Sequence, residues 1–259
     1  MREFWFESEG TPLFSVEDGE GPALVMLHGA LANHQAALPL IAPHSTRYRI
    51  IAPDLRGSGK SHCGEALTFE RLARDVEVLL DELGVDRAFV GGVSSGSGVA
   101  LRFALKRLGR IAGLALVKPV YAGGEKGYTE QQKASFGMMD AVASRAVDEG
   151  VQVLSALYKD LPSPMREKAL AMVEGFDAPS VVATSHFVAS GEQPFTSAEE
   201  LRSLDLPVLL VRGDDPLHPS EVSDLYANNL PNCNEVASSA DATEAIGAFC
   251  DRHVSAPNG

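Results

Sequence analysis

The chain has 259 residues, 45% of them hydrophobic, which is enough to bury one sizeable core in a single domain. A formal net charge of −13 argues against nucleic acid or an anionic membrane surface as a partner, because either would need clustered Lys and Arg. Three cysteines, Cys63, Cys233 and Cys250, stand far apart without CxxC spacing, which argues against a disulfide framework and a thiolate metal site.

The opening stretch "MREFWFESEG" carries two acids among its first seven residues and no long apolar run. Neither a secretory signal nor a membrane span is expected there, and a cytoplasmic location is. The following "REFWFES" and "TPLFSVED" alternate weakly between apolar and polar residues and predict an antiparallel hairpin at a sheet edge. Five short runs rich in Val, Ile and Leu then recur with helical stretches between them: "ALVMLHG", "YRIIAPD", "AFVGGVS", "IAGLALVKP" and "PVLLVRG". Such alternation predicts an α/β fold with a mainly parallel sheet flanked by helices. Helices fit 68–82, with Thr68 as N-cap and Gly84 just past the end, and 95–108. From about Gly123 to Leu204 only helical pattern appears, broken by "LPSP", Gly175 and "SGEQPF". This segment, 123–204, is expected to be a helical lid inserted over the carboxyl ends of the strands, with a core built from 1–122 and 205–259. Its apolar residues Phe136, Met138, Met139, Met165, Met172, Phe176, Phe187 and Phe195 are expected mainly to glue its helices together. The last strand is expected at 234–238, leading straight into a closing helix.

Chemistry concentrates in "GGVSSGSG", residues 91–98. Gly92-Val93-Ser94-Ser95-Gly96 has GxSxG spacing between a predicted strand and helix. A tight turn there would force Ser94 into a strained conformation and project it outward, with the Ser95 N–H available to a developing oxyanion. On the bare motif, the same residues could simply form a βα turn.

Two further stretches decide between these alternatives. Residues 27–30, "LHGA", and 53–61, "PDLRGSGKS", stand at the intervals of the oxyanion loop and the turn after the fourth strand in α/β-hydrolases, and the chain resembles that family over nearly all its length. The resemblance implies an α/β-hydrolase fold with Ser94 as nucleophile and the N–H groups of Ala30 and Ser95 as oxyanion hole; His28 would shape the loop. It also implies an acid after "PVLLVRG", where Asp215 matches best and Asp214 is the alternative. The family's histidine normally follows the last strand, and here Ser239-Ala240-Asp241 stand in its place. His253 would lie roughly 15 Å along the closing helix and is not expected to reach.

Three side chains are candidates to take the Ser94 proton: His218 on the acid's own loop, which we prefer; His186 on "VVATSHFVAS"; and Lys118 at the end of "LALVKP". The expected activity is hydrolysis of a small, largely apolar ester, lactone, thioester or ketone, with no cofactor and no metal. The missing histidine leaves open a lyase, a cyclase, a cofactor-independent oxygenase or a ligand-binding receptor.

Overall fold

The computed structural model describes residues 1–237 and 241–254. Its elements, in chain order, are β1 (Arg2–Ser8), β2 (Thr11–Asp18), β3 (Ala23–Leu27), α1 (His34–Ile41), β4 (Arg49–Pro53), α2 (Phe69–Glu82), β5 (Ala88–Val93), α3 (Ser95–Lys106) and β6 (Ile111–Val117). There follow α4 (Glu130–Ala143), α5 (Ala146–Glu149), α6 (Ser163–Val173), α7 (Ala178–Ala189), α8 (Ala198–Arg202), β7 (Val208–Val211), α9 (Ser220–Asn229), β8 (Cys233–Val236) and α10 (Ala242–His253).

Eight strands form one sheet in the order β1-β2-β4-β3-β5-β6-β7-β8. The first two make the antiparallel edge hairpin, β2 runs antiparallel to β4, and the remaining pairs are parallel. A parallel sheet covered on both faces needs strands that are apolar throughout. β3 and β7 accordingly read ALVML and VLLV, buried at every position. Helix α2 shows why the flanking segments are helical. Thr68 accepts a hydrogen bond from Arg71 N, Gly84 sits at φ +63 beyond the end, and Phe69, Leu72, Val76 and Leu79 form one buried face. Each such side chain contributes about 1.5–3 kcal/mol on leaving water.

The chain leaves β3 toward β4 on one side and reaches β5 on the other. Where strand order diverges in this way, a crevice opens outside the carboxyl ends. The loops after β3, β5, β6 and β7 all meet there. Among the hydrogen bonds that tie the helical segment between β6 and β7 to core loops are Thr184 Oγ1 to Gly57 O (2.8 Å), Cys63 N to Ser180 Oγ (2.8 Å) and Tyr158 OH to Leu31 O (3.0 Å).

Three expectations need correction. The helix predicted over 95–108 ends at Lys106, because Arg107 leaves helical geometry (φ −136, ψ 49) and Leu108–Arg110 make a separate tight turn. The last strand spans Cys233–Val236 rather than 234–238, starting one residue earlier; position 238 of the expected strand lies outside the described residues. Met138 and Met165 glue nothing: they are 62% and 53% exposed, on the outer faces of α4 and α6, whereas Phe136, Phe187 and Phe195 are buried. Among the described residues no helix is long and apolar enough to cross a membrane.

Candidate active site

Ser94 is the single residue between β5 and α3, and it adopts φ +54, ψ −120. Such a conformation is costly for a residue with a Cβ and is tolerated only where the surroundings enforce it. Here the Ser94 N–H donates to Val117 O at 2.9 Å, so the turn is hooked onto the neighbouring strand. Glycines make the hook possible. A Cβ at Gly92 would strike the backbone of Gly96, and one at Gly96 would strike the carbonyl oxygens of Leu27 and His28. The start of α3 therefore packs directly on the end of β3 and holds Ser95, its first residue, beside the loop carrying Ala30.

That loop is fixed from behind by His28. Its Nε2 accepts from Leu55 N–H at 2.9 Å, so the proton sits on Nδ1, which donates to Gly29 O at 2.7 Å. Burial pushes the His28 pKa down, which keeps the ring neutral in this role. Asp54 supports the same corner by accepting from the backbone and ring of His34 (both 2.7 Å) and from Lys60 N (2.8 Å). A Cβ at Gly29 would lie 3.3 Å from Ser94 Cβ, so the loop runs alongside the serine. Ala30 and Ser95 together line a cavity of about 20 Å³. Its remaining walls include Leu55, Leu67, Val99 and Phe187, and it has room for about one water.

His218 Nε2 stands 3.0 Å from Ser94 Oγ, and its Nδ1 stands 2.7 Å from Asp215 Oδ1. A carboxylate can only accept, so Nδ1 carries the proton and Nε2 is left free to accept from the serine hydroxyl. The geometry comes from a tight turn. Asp215 Oδ1 also accepts from Leu217 N (3.1 Å) and His218 N (3.0 Å), and His218 N bonds Asp215 O at 3.0 Å. Gly213 completes it, because a Cβ there would collide with that of His218. Burial pushes the His218 pKa below its ordinary value; Asp215 opposes this and Lys118 reinforces it. For Asp215, burial favours the neutral acid but is outweighed by the His218 ring, its backbone N–H and Lys118, which hold the pKa below the usual carboxylate range.

The other candidates lie elsewhere. Asp214 is exposed and outside this network. His186 faces outward, with Nε2 3.3 Å from Ser144 Oγ and 3.4 Å from Asp140 Oδ1, so it does not reach down to the serine. Lys118 points its Nζ at Asp215 Oδ2, 3.3 Å away, rather than at Ser94, and so is not placed to take the serine proton. His253 ends α10 and packs on Phe249. Among the described residues no group of three His, Cys, Asp or Glu could hold a metal ion. Two larger concavities, about 530 and 390 Å³, lie between α7 and the loop 64–67 and across the outer faces of α2 and α3. The second is lined by Arg71, Arg74 and Arg107, each already engaged by Glu9, Glu65 or Glu77.

One supporting residue has a sequence signal that went unused. Thr129 and Gln132 form a reciprocal capping box at the start of α4, an arrangement legible as T-x-x-Q. Having capped the helix, the fully buried Gln132 donates from Nε2 to both Val120 O and Leu217 O, each at 2.9 Å. It thereby clamps the Asp215–His218 turn to the exit of β6.

Comparison with known proteins agrees with this architecture. Residues 22–242 match the family model described as alpha/beta hydrolase fold. The chain is 26% identical over 227 residues to Protein PHYLLO, chloroplastic, of Arabidopsis thaliana, covering 80% of this chain but 13% of that one. It is 24% identical to a non-heme haloperoxidase of Rhodococcus erythropolis, over 80% of each chain. The solved structure of a thermophilic esterase from Thermogutta terrifontis superposes with a TM-score of 0.80 at 23% identity, covering 98% of this chain and 100% of that one.

Proposed function

This chain belongs to the alpha/beta hydrolase fold family, and from that premise we propose that it is a serine hydrolase working through Ser94, His218 and Asp215. The observation that carries the reading is the 3.0 Å approach of His218 Nε2 to Ser94 Oγ, with Asp215 bonded to the far side of the ring. In the first half-reaction Ser94 Oγ attacks the substrate carbonyl carbon while His218 Nε2 takes its proton. The negative charge passes to the carbonyl oxygen, where the N–H groups of Ser95 and Ala30 would receive it. When the tetrahedral species collapses, the bond to the leaving alcohol breaks and His218 returns the proton to that oxygen. Water then repeats the sequence against the acyl-serine, with His218 as base and then acid, and releases the carboxylic acid.

The lyase, cyclase, oxygenase and receptor alternatives drew on the lack of a histidine after the last strand. His218 on the acid's own turn supplies the same ring nitrogens from another place, which favours hydrolysis. Leu55, Leu67, Val99 and Phe187 line the small void beside Ala30 and Ser95 and support a largely apolar substrate, a small ester, lactone, thioester or ketone. We assign the core to 1–122 and 205–259, and a helical lid to 123–204.

Two results are expected. A fluorophosphonate probe should label the protein at Ser94, located by peptide mass spectrometry, and should leave Ser94→Ala unlabelled; a folded parent protein that takes no label would remove the nucleophile from this account. Secondly, kcat/KM should be flat through neutral pH and fall only on the acid side. The base works as neutral imidazole, and burial has moved its pKa below 6.5, so activity is retained above that shifted value and lost as pH drops through it. A midpoint at or above the ordinary histidine value, read from the pH profile, would contradict this.

A further inference from the structure

Four residues other than glycine have positive φ among the described residues: Glu9, Leu31, Ser94 and Lys118. Glu9 stands with Gly10 (φ +75) in the two-residue turn between β1 and β2, where such angles match the twist of the strands. The other three surround the candidate active site. Leu31 follows Ala30, Ser94 follows β5, and Lys118 follows β6.

Ser94 and Lys118 are built alike. Each is the first residue beyond its strand, each turns to φ of about +50, and each donates its N–H to the last residue of the next strand: Ser94 to Val117 O at 2.9 Å, Lys118 to Val211 O at 2.8 Å. The order β5-β6-β7 therefore sets Ser94, Lys118 and the Asp215–His218 turn side by side along one edge. A strained backbone maintained at such a place is a reason to ask what the side chain does.

The Lys118 ammonium lies 3.3 Å from Asp215 Oδ2. The other carboxylate oxygen, Oδ1, accepts all three N–H groups of the turn, from Leu217 N, His218 N and His218 Nδ1. The two ends of one carboxylate thus face different partners. Without the lysine, Oδ2 would have none of the side-chain partners that the described residues give it, and the group could rock about its Cβ–Cγ bond. The pair is half-buried, at 27% and 37% side-chain exposure, and as a stabilising ion pair it would contribute little.

We propose that Lys118 is a positioning residue for hydrolysis: anchored by its hooked backbone, it holds Asp215 Oδ2 so that Oδ1 stays on Nδ1 of His218. The proposal rests on the Ser94–His218–Asp215 reading above. Lys118 also offsets the carboxylate charge felt by the ring. The charged groups acting on His218 are Asp215 and Lys118, and those acting on Asp215 are His218 and Lys118. A cation at this place opposes protonation of the imidazole, so the same residue that orients the base keeps it neutral at lower pH.

The test is p-nitrophenyl acetate hydrolysis by Lys118→Met and Lys118→Arg, from about pH 5 to 9, beside fluorophosphonate labelling of each protein. Lys118→Met is expected to lose about tenfold in kcat with KM within twofold, to move the acid limb of the profile to higher pH, and to label at Ser94 more slowly. Lys118→Arg, which keeps the charge, should return the limb to its place. Lys118→Gln provides the same comparison if the methionine variant does not fold. A methionine profile that superposes on the parent in kcat and in pH would overturn the proposal alone, as would a change confined to KM. A parent protein that neither labels at Ser94 nor turns over the ester would instead overturn the hydrolase reading, and this one with it.

Discussion

Replacing His218 by alanine should lower kcat for p-nitrophenyl acetate by roughly 10⁴–10⁶, with His253→Ala indistinguishable from the parent. The size follows from how triad members act as a unit. Without the ring the Ser94 hydroxyl keeps its proton at neutral pH, and Asp215 has no group through which to act. What remains is the oxyanion hole and whatever binding the cavity supplies. The fold should survive, because the turn is also held by Asp215 Oδ1 on Leu217 N and by Gln132 on Leu217 O. Thermal unfolding of the variant is therefore the control, and a midpoint within a few degrees of the parent is expected. Turnover of the variant within tenfold of the parent would return the search to other bases.

The largest effect on stability should come from Arg56. Its guanidinium is fully buried and donates to Asp75 through both Nε (2.8 Å) and one terminal nitrogen (2.7 Å), while its other hydrogens reach Thr11 Oγ1 (2.6 Å) and Ser8 O (2.8 Å). The arrangement joins the turn after β4 to α2 and to the β1–β2 hairpin. Arg56→Met would leave the buried Asp75 carboxyl group without its partner, which costs about 3–5 kcal/mol. Equilibrium urea unfolding should show this as a lower midpoint with the slope little changed. The double variant Arg56→Met, Asp75→Leu is expected to recover most of the loss, since an apolar pair of similar volume needs no compensation. An equal loss in the double variant would show that the hydrogen bonds to Ser8 and Thr11, rather than the stranded charge, dominate.

The fold was legible because its signals are local. Short apolar runs mark buried parallel strands, Thr68 and Gly84 bracket α2 within its own neighbourhood, and Gly92 meets the backbone of Gly96 only four residues further on. The candidate site was legible only in part. The spacing of glycines marks the turn carrying Ser94, but it is the resemblance to α/β-hydrolases, not the motif alone, that points to Ser94 and Ala30. The turn under His218 has a local part, Gly213 lying under its Cβ, but its clamp is a contact that no short window of sequence contains: the bond from Gln132, 85 residues before Leu217. Lys118 reads as a candidate base in the sequence because its partner, Asp215, lies 97 residues further on. Met138 and Met165 fit a helical apolar pattern, yet helix packing turned them to solvent, since periodicity gives a face but not what covers it.

Carrying acid and base on one turn has a consequence for how the enzyme comes into being. The contact between Asp215 and His218 spans three residues, so closing it costs little chain entropy, although Lys118 and Gln132 brace it from elsewhere in the fold. The contact between His218 and Ser94 spans 124 residues and exists only once β5, β6 and β7 stand side by side. On the proposed reading, the serine would gain its base only where β7 stands beside β6, so a molecule lacking that pairing would carry an unactivated hydroxyl at Ser94.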